Sequence, residues 1–364
     1  MQIQTTDYDK SNVNRLLTAL NHQEPDRVPH IELWVTSPAV YEYVLERKLP
    51  YTIGDAAEGG QSITPEDDVE FAQRQGEDAV LCNFAWRPNN VFRKAEDGTR
   101  HYVDGEIKTE ADLASKLDPP PALDDQLRYL ERYLKASQGT GVGVIANLTS
   151  FFDSTMLAIG VTDSLYMFYD NRPLVEKLMD ILLAHQEQVM RAVIDRFGDD
   201  LALVMVNDDI GHNSGLLISP KMFMQIFPHR MKRLIAPAKD HGLKVLMHTD
   251  GKLDGILPIL YDIGIDANHP IEPESNDIVE VKKKWAGKMA LIGNVHTPLL
   301  AYGTKDEIEA KVKDYCEKLG PGGGWVCGSS TSIMDGIPPE NFVAMIRAVH
   351  RYGQYGSLGG ERIA

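Results

Sequence analysis

Cysteine is scarce in this chain. Only Cys82, Cys316 and Cys327 occur in 364 residues, an odd number, widely spaced and without a C-x-x-C pair. That argues against a disulfide framework and against a thiolate-rich metal site. No stretch of about 18 consecutive apolar residues is present, so no membrane-spanning helix is expected. Basic residues are outnumbered, 37 against 53 acidic, and the net charge of -16 opposes binding to phosphate backbones or anionic lipid. Neither nucleic acid nor a membrane is an expected partner. The first residues lack a basic start followed by an apolar run, and the expected location is the cytoplasm. No G-x-G-x-x-G follows a strand candidate, so a dinucleotide fingerprint is missing.

What is present is alternation. Short, nearly continuous apolar runs occur at 28–34, 79–82, 142–147, 201–207, 244–248, 265–268, 289–293 and 324–327. Such runs suit strands covered on both faces of a parallel sheet. Amphipathic segments of helical length lie between them, at 174–197, 220–241, 253–263, 305–319 and 338–352, and residues 14–20 read as the end of a short helix. Eight strand candidates alternating with helices predict an α/β chain folded as one (β/α)8 TIM barrel, with an open doubly wound sheet as the competing architecture. Residues 36–121 fit the pattern poorly and predict an N-terminal elaboration over the barrel mouth, with a hairpin at 91–107 turning at Asp97-Gly98. The expected organisation is a single domain, 1–364.

In such a barrel, chemistry belongs at the carboxyl ends of strands. Polar residues collect there: Glu32, Asp208, Asp209 and His212, His248 and Asp250, His269 and Glu272, Asn294 and His296, Ser329 and Ser330. His248 and Asp250, two positions apart, face the same way if the strand continues, which allows a shared metal; alternatively Asp250 caps the next helix. Of Asp208 and Asp209 only one readily enters the mouth, as a general base, a metal ligand or a partner for the substrate, unless the pair caps a turn before Gly211. His269 and His296 are either ligands or packing residues. Glu32, inside an apolar strand, needs a partner. The run Pro321-Gly322-Gly323-Gly324 precedes a strand and reads as a tight turn rather than a phosphate cradle.

Several stretches resemble the uroporphyrinogen decarboxylase superfamily, which includes cobalamin-dependent methyltransferases. They are Glu24-Pro25-Asp26-Arg27-Val28-Pro29, Asp208-Asp209-Ile210-Gly211 with 215–220, Val245-Leu246-Met247-His248-Thr249-Asp250-Gly251, Gly293-Asn294-Val295 through Gly303-Thr304, Gly322-Gly323-Gly324, and 337–341 through Tyr352-Gly353. The resemblance implies a (β/α)8 barrel. The decarboxylase branch carries an arginine-rich run of the form MRQAGRY after the first strand, whereas here no arginine lies between Arg27 and Arg47. Decarboxylation of a porphyrinogen is therefore not expected. The thiol-methylating branch has a zinc site resembling His-x-Cys; this chain has His248-Thr249-Asp250, with Ser329-Ser330 near the second cysteine position. Imidazole and carboxylate make a harder site than thiolate, suited to an oxygen leaving group.

The resemblance thus implies a methyltransferase that demethylates a small methoxylated, aromatic substrate, passing the methyl group to cobalamin on a partner corrinoid protein. The implied roles are His248 and Asp250 as ligands of Zn²⁺, Asp208, Asp209 and His212 as catalytic groups, and Glu32, Trp34, Asn294 and Ser330 as substrate contacts. Trp34, Phe84, Trp86, Phe151 and Phe152 either line a ring pocket or belong to the core. A homodimer is implied as well. The alternatives are a lyase that decarboxylates a small acid and a non-catalytic binding protein.

Overall fold

Side chains alternate between the two faces of a strand, and in this chain each face has its own apolar partner. A computed structural model describes residues 10–51, 63–95 and 100–357. Seven parallel strands form one sheet: β1 (Ala79–Phe84), β4 (Gly143–Thr149), β5 (Leu203–Asn207), β8 (Val245–His248), β9 (Ala267–His269), β10 (Ala290–Ile292) and β11 (Trp325–Val326), paired in that order. The intervening numbers belong to two antiparallel pairs, β2 (Asn90–Lys94) with β3 (Arg100–Gly105) and β6 (Gly211–His212) with β7 (Gly215–Leu216). Ala79, Leu81, Ile145, Leu203, Met205, Leu246, Ala267, Ala290, Ile292 and Val326 pack together with Leu16 and Leu20 of the helix Val13–Leu20. The alternate residues Val80, Val144, Val204, Val245, Met247 and Leu291 pack outward, among the helices. The sheet is therefore curled around one small core and enclosed by a larger one, a TIM-barrel-like arrangement.

The run 28–34, expected as the first strand, forms no ladder. It makes isolated parallel bridges, His30 with Cys327 and Val35 with Ile333, and lies between the two edges of the sheet. On one side Ile31 N donates to Cys327 O and Cys327 N to Pro29 O; on the other Asp78 N donates to His30 O. The remaining bonds toward β1 go to side chains. The His30 amide donates to the Asp78 carboxylate (3.1 Å) and the Glu32 amide to the Glu77 carboxylate (3.4 Å). Pro29 has no N–H to contribute. Carboxylates thus replace a backbone ladder along this seam.

The helices follow local rules. In Arg172–Phe197 the buried residues Leu174, Leu178, Leu182, Val189 and Val193 recur at three- and four-residue intervals or their sums. Lys305–Leu319 begins at a capping box in which Thr304 and Glu307 satisfy each other's backbone amides. The segment expected as one helix at 220–241 is two, Pro220–Ile226 and Pro228–His241, because Pro228 lacks the N–H that would continue the first. Likewise 253–263 shortens to Leu257–Ile263. The hairpin expected at 91–107 is present as β2 and β3, while its turn at Asp97-Gly98 lies outside the described residues. The hairpin leaves the carboxyl end of β1 and packs on the helix Phe152–Ile159, where Tyr102 donates to Leu157 O (2.8 Å). Among the described residues no helix is long and apolar enough to cross a membrane.

Candidate functional site

Following each inward-facing stripe toward the carboxyl end of its strand, the next alternate residue changes from apolar to polar. After Leu81 comes Asn83, after Ile145 Asn147, after Met205 Asn207, after Leu246 His248, after Ala267 His269 and after Ile292 Asn294. Period two alone places these six side chains in one layer above the inner core. Asn83, Asn147 and Asn207 line a cavity of about 150 Å³ together with Glu32, Trp34 and Arg87. The Asn147 amide donates to Asn83 (2.7 Å). The ring of Trp34 meets that of His248 edge-on, 4.6 Å between centroids.

Beside this layer, Asp209, His248 and Asp250 converge, with one donor atom from each lying within 4.8 Å of the others. His248 Nε2 is 3.8 Å from a carboxylate oxygen of both aspartates. The proton inventory fixes which nitrogen is free. Ser329 O only accepts, so the Nε2 of His269, 3.3 Å away, donates to it. Burial pushes His269 down to about 4, so the ring is neutral near pH 7 and its Nδ1 is an acceptor. His248 Nδ1, 2.8 Å from His269 Nδ1, must then donate. The lone pair of His248 Nε2 is left facing two carboxylates. Burial, reinforced by His269 and Arg87, also holds His248 well below its ordinary range. Burial and the neighbouring Glu272 and Asp153 push Asp250 up to about 7, and burial with Asp153 and Asp250 raises Asp209. Three acceptors facing one point are mutually repulsive unless a cation or a proton lies between them.

The other expected residues fall in different places. Asp208 is fully buried and turned away from the cluster; its carboxylate accepts from the amides of Phe152 (3.3 Å) and Asp153 (2.6 Å), capping the helix Phe152–Ile159. The side chain of His212 is exposed, but its backbone braces the turn carrying Asp250. Lys252 N donates to His212 O (3.0 Å), and a Cβ on Gly251, at φ 97°, would sit 2.6 Å from His212 N. Glu32 finds the partner its burial requires in Ser329, whose amide and hydroxyl donate to it at 2.9 and 2.6 Å. Ser330 accepts from Thr297 N (3.3 Å). Asn294 is buried with neither amide atom partnered among the described residues. His269, open between ligand and packing, is the hydrogen-bond partner of His248, and His296 pairs with Glu274 away from the cluster.

Sequence reasoning missed Arg87, Asn83 and Asn147, and noted Asn207 only as the polar end of its strand. The signal for Asn83, Asn147 and Asn207 was the polar residue two positions after an inward apolar one. Arg87 stands just beyond β1, where a barrel places its chemistry.

Inside the cavity wall, Asp68 accepts from the hydroxyls of Tyr41 and Tyr133, both at 2.9 Å. Burial outweighs these bonds and raises Asp68 from 3.8 to about 6. The folded chain therefore holds this proton more tightly than the unfolded one. The associated stability is complete below about pH 4 and is lost as pH rises to about 6, roughly 3 kcal/mol in all. Asp68→Asn should shift the stability difference between variant and parent by about that amount in the variant's favour from pH 4 to 7. Chemical denaturation across that range checks it, and a constant difference would refute it.

Residues 93–352 match the family described as uroporphyrinogen decarboxylase (URO-D). The chain belongs to that family. Over 190 residues it is 26% identical to the uroporphyrinogen decarboxylase of Thioalkalivibrio sulfidiphilus, covering 51% of each chain. Over 74 residues it is 35% identical to that of Legionella pneumophila strain Lens, covering 20% of this chain and 21% of the relative. The chain thus spans about half the length, or less, of the curated relatives it matches. Its fold is similar to that of a solved methyltransferase from Methanosarcina mazei, with a TM-score of 0.69 and 19% identity, over 94% of this chain and 99% of that one. Within the family, the polar layer at the strand ends and the Asp209–His248–Asp250 cluster describe this chain's own site.

Proposed function

We propose that this protein is a methyltransferase that takes a methyl group from a small methoxylated, aromatic substrate and passes it to the cobalamin of a partner corrinoid protein. The single observation carrying this reading is the convergence of the His248 lone pair with two carboxylates beside the Trp34 ring. One imidazole nitrogen and two carboxylate oxygens are a donor set that Zn²⁺ accepts. His248, Asp209 and Asp250 would hold the ion, which would draw charge from the departing ether oxygen. The chain's own residues do the rest. Trp34 gives the substrate ring an aromatic wall, Asn294 offers it an unpartnered amide, and His269 keeps the His248 lone pair aimed outward. Glu32 and Ser330 shape the rim, while Asp208 and His212 position the turns that carry Asp209 and Asp250. The architecture reads as a (β/α)8 barrel in which residues 28–35 serve as the eighth stave and the β2–β3 hairpin as the elaboration over its mouth.

In the reaction the ether oxygen keeps the C–O bonding pair, takes a proton and leaves as a phenol. Incubating the protein with methoxylated aromatics and reduced cobalamin should yield methylcobalamin and phenol in equal amounts, read by absorbance, with metal determined on the same sample. No transfer from folded, metal-loaded protein would overturn the reading. One feature favours a second: burial and the nearby Glu272 and Asp153 carboxylates push Asp250 up to about 7, and a neutral carboxylic acid is what a decarboxylase acting on a small acid needs to protonate the nascent carbanion. That lyase would release carbon dioxide without any corrinoid.

A further inference from the structure

Arg87 is a cation at the cavity with an incomplete set of partners. It sits three residues beyond β1, its side chain one-fifth exposed, and pairs through Nη2 with Asp153 Oδ2 at 3.2 Å. Its Nε is buried without a hydrogen-bond partner among the described residues. A guanidinium offers five donors in a planar fork, and a buried N–H of a charged group left unpaired is costly. Asn147 and Asn207 line the same cavity, and their side-chain oxygens are buried and likewise without a hydrogen-bond partner among the described residues. Asn207 lies across from His248 in the β5–β8 register, and Trp34 touches both the cavity and the His248 ring. The cavity and the Asp209–His248–Asp250 cluster are therefore contiguous. A molecule seated against Trp34 with one end at His248 meets Arg87 on the cavity side.

We propose that Arg87 is a specificity-determining residue: the substrate carries a carboxylate, which binds the side of the Arg87 guanidinium exposed to the cavity, and this anchor holds the rest of the molecule between Trp34 and His248. The guanidinium fork matches a carboxylate in a way that a neutral amide or alcohol cannot reproduce. The negative charge of the chain as a whole does not supply this recognition, so it rests on Arg87.

The inference takes its ring-bearing substrate from the proposed methyl transfer, but its test reads binding alone. Titration calorimetry without any cobalamin compares 3-methoxybenzoate with the neutral, nearly isosteric 3-methoxybenzamide. The benzoate should bind roughly 10- to 100-fold more tightly. In Arg87→Gln that ratio should collapse toward one, and Arg87→Lys should recover part of it. Because the comparison of the two ligands is made first on the unaltered protein, it does not depend on any variant folding. Equal affinities, a ratio unchanged in Arg87→Gln, or binding of neither compound would overturn the proposal. A benzoate preference with no methyl transfer from any donor would leave Arg87's role standing and remove the methyltransferase reading instead.

Discussion

On the proposed reading, the His248→Ala variant is expected to bind no metal and to transfer no methyl group while remaining folded. His248 provides the only nitrogen in the cluster, and its Nε2 lies 3.8 Å from each carboxylate. Without it two carboxylates remain, both already raised by burial and by nearby carboxylates. Removing residues that merely support a metal ligand typically costs 10- to 100-fold in affinity or activity, so loss of the ligand itself should exceed about 100-fold. The fold should survive, because the imidazole packs against the Trp34 and His269 rings at the end of β8, above the inner apolar layer. The checks are metal content per chain, initial rate and thermal unfolding on one preparation. Full activity in the variant would remove His248 from the mechanism. Full metal content with no activity would make it a substrate contact instead of a ligand.

The largest stability effect is expected at the opposite end of the strands, where Asp78→Ala should cost about 3–5 kcal/mol. Asp78 is fully buried, and its two carboxylate oxygens receive the amide of Asn12 (2.9 Å), Arg15 Nη1 (2.6 Å) and the amide of His30 (3.1 Å), with Arg27 Nη1 at 3.6 Å. These groups come from the entry to the helix Val13–Leu20, from that helix itself, and from Arg27 and the seam segment 28–35 that follows it. One carboxylate therefore ties the seam segment to β1. Arg15 retains Asp26, at 2.6 Å, and Arg27 retains the carbonyls of Val28 and Gly76. Both guanidiniums are buried, however, and removing the carboxylate they share leaves that buried charge less well compensated. Chemical denaturation should show the midpoint falling; a cost below about 1 kcal/mol would mean that the backbone bonds to Cys327 hold the seam by themselves.

Much of this was legible from local chemistry. Strand and helix alternation was readable because a parallel sheet covered on both faces demands short apolar runs, and 305–319 appears with its expected ends because Thr304 and Glu307 form a cap that needs no tertiary partner. The collection of polar residues at the strand ends was likewise readable, since period two carries Leu246 into His248 and Ile292 into Asn294 on one side of the sheet. The split at Pro228 was written in the sequence too, in a proline that cannot extend the helix before it.

Other features exist only once distant segments meet. Asp208 and Asp209 are neighbours of the same chemistry, and nothing local distinguishes them. The amides at the start of the helix Phe152–Ile159 claim Asp208, and Asp209 is left for His248. The free nitrogen of His248 depends on a chain of hydrogen bonds running through His269 to the carbonyl of Ser329, sixty residues further on. Arg87 reads as an ordinary surface cation until β1 delivers it to a cavity whose other walls include β4, β5, residues 32–36 and the helices that carry Asp68 and Tyr133. Periodicity and capping act within a few residues, so the sequence by itself determined the elements and the end of the sheet where chemistry gathers. Hydrogen-bond partners and burial are set between residues far apart in the chain, so only the tertiary structure decided which of those groups face one another and in what protonation state.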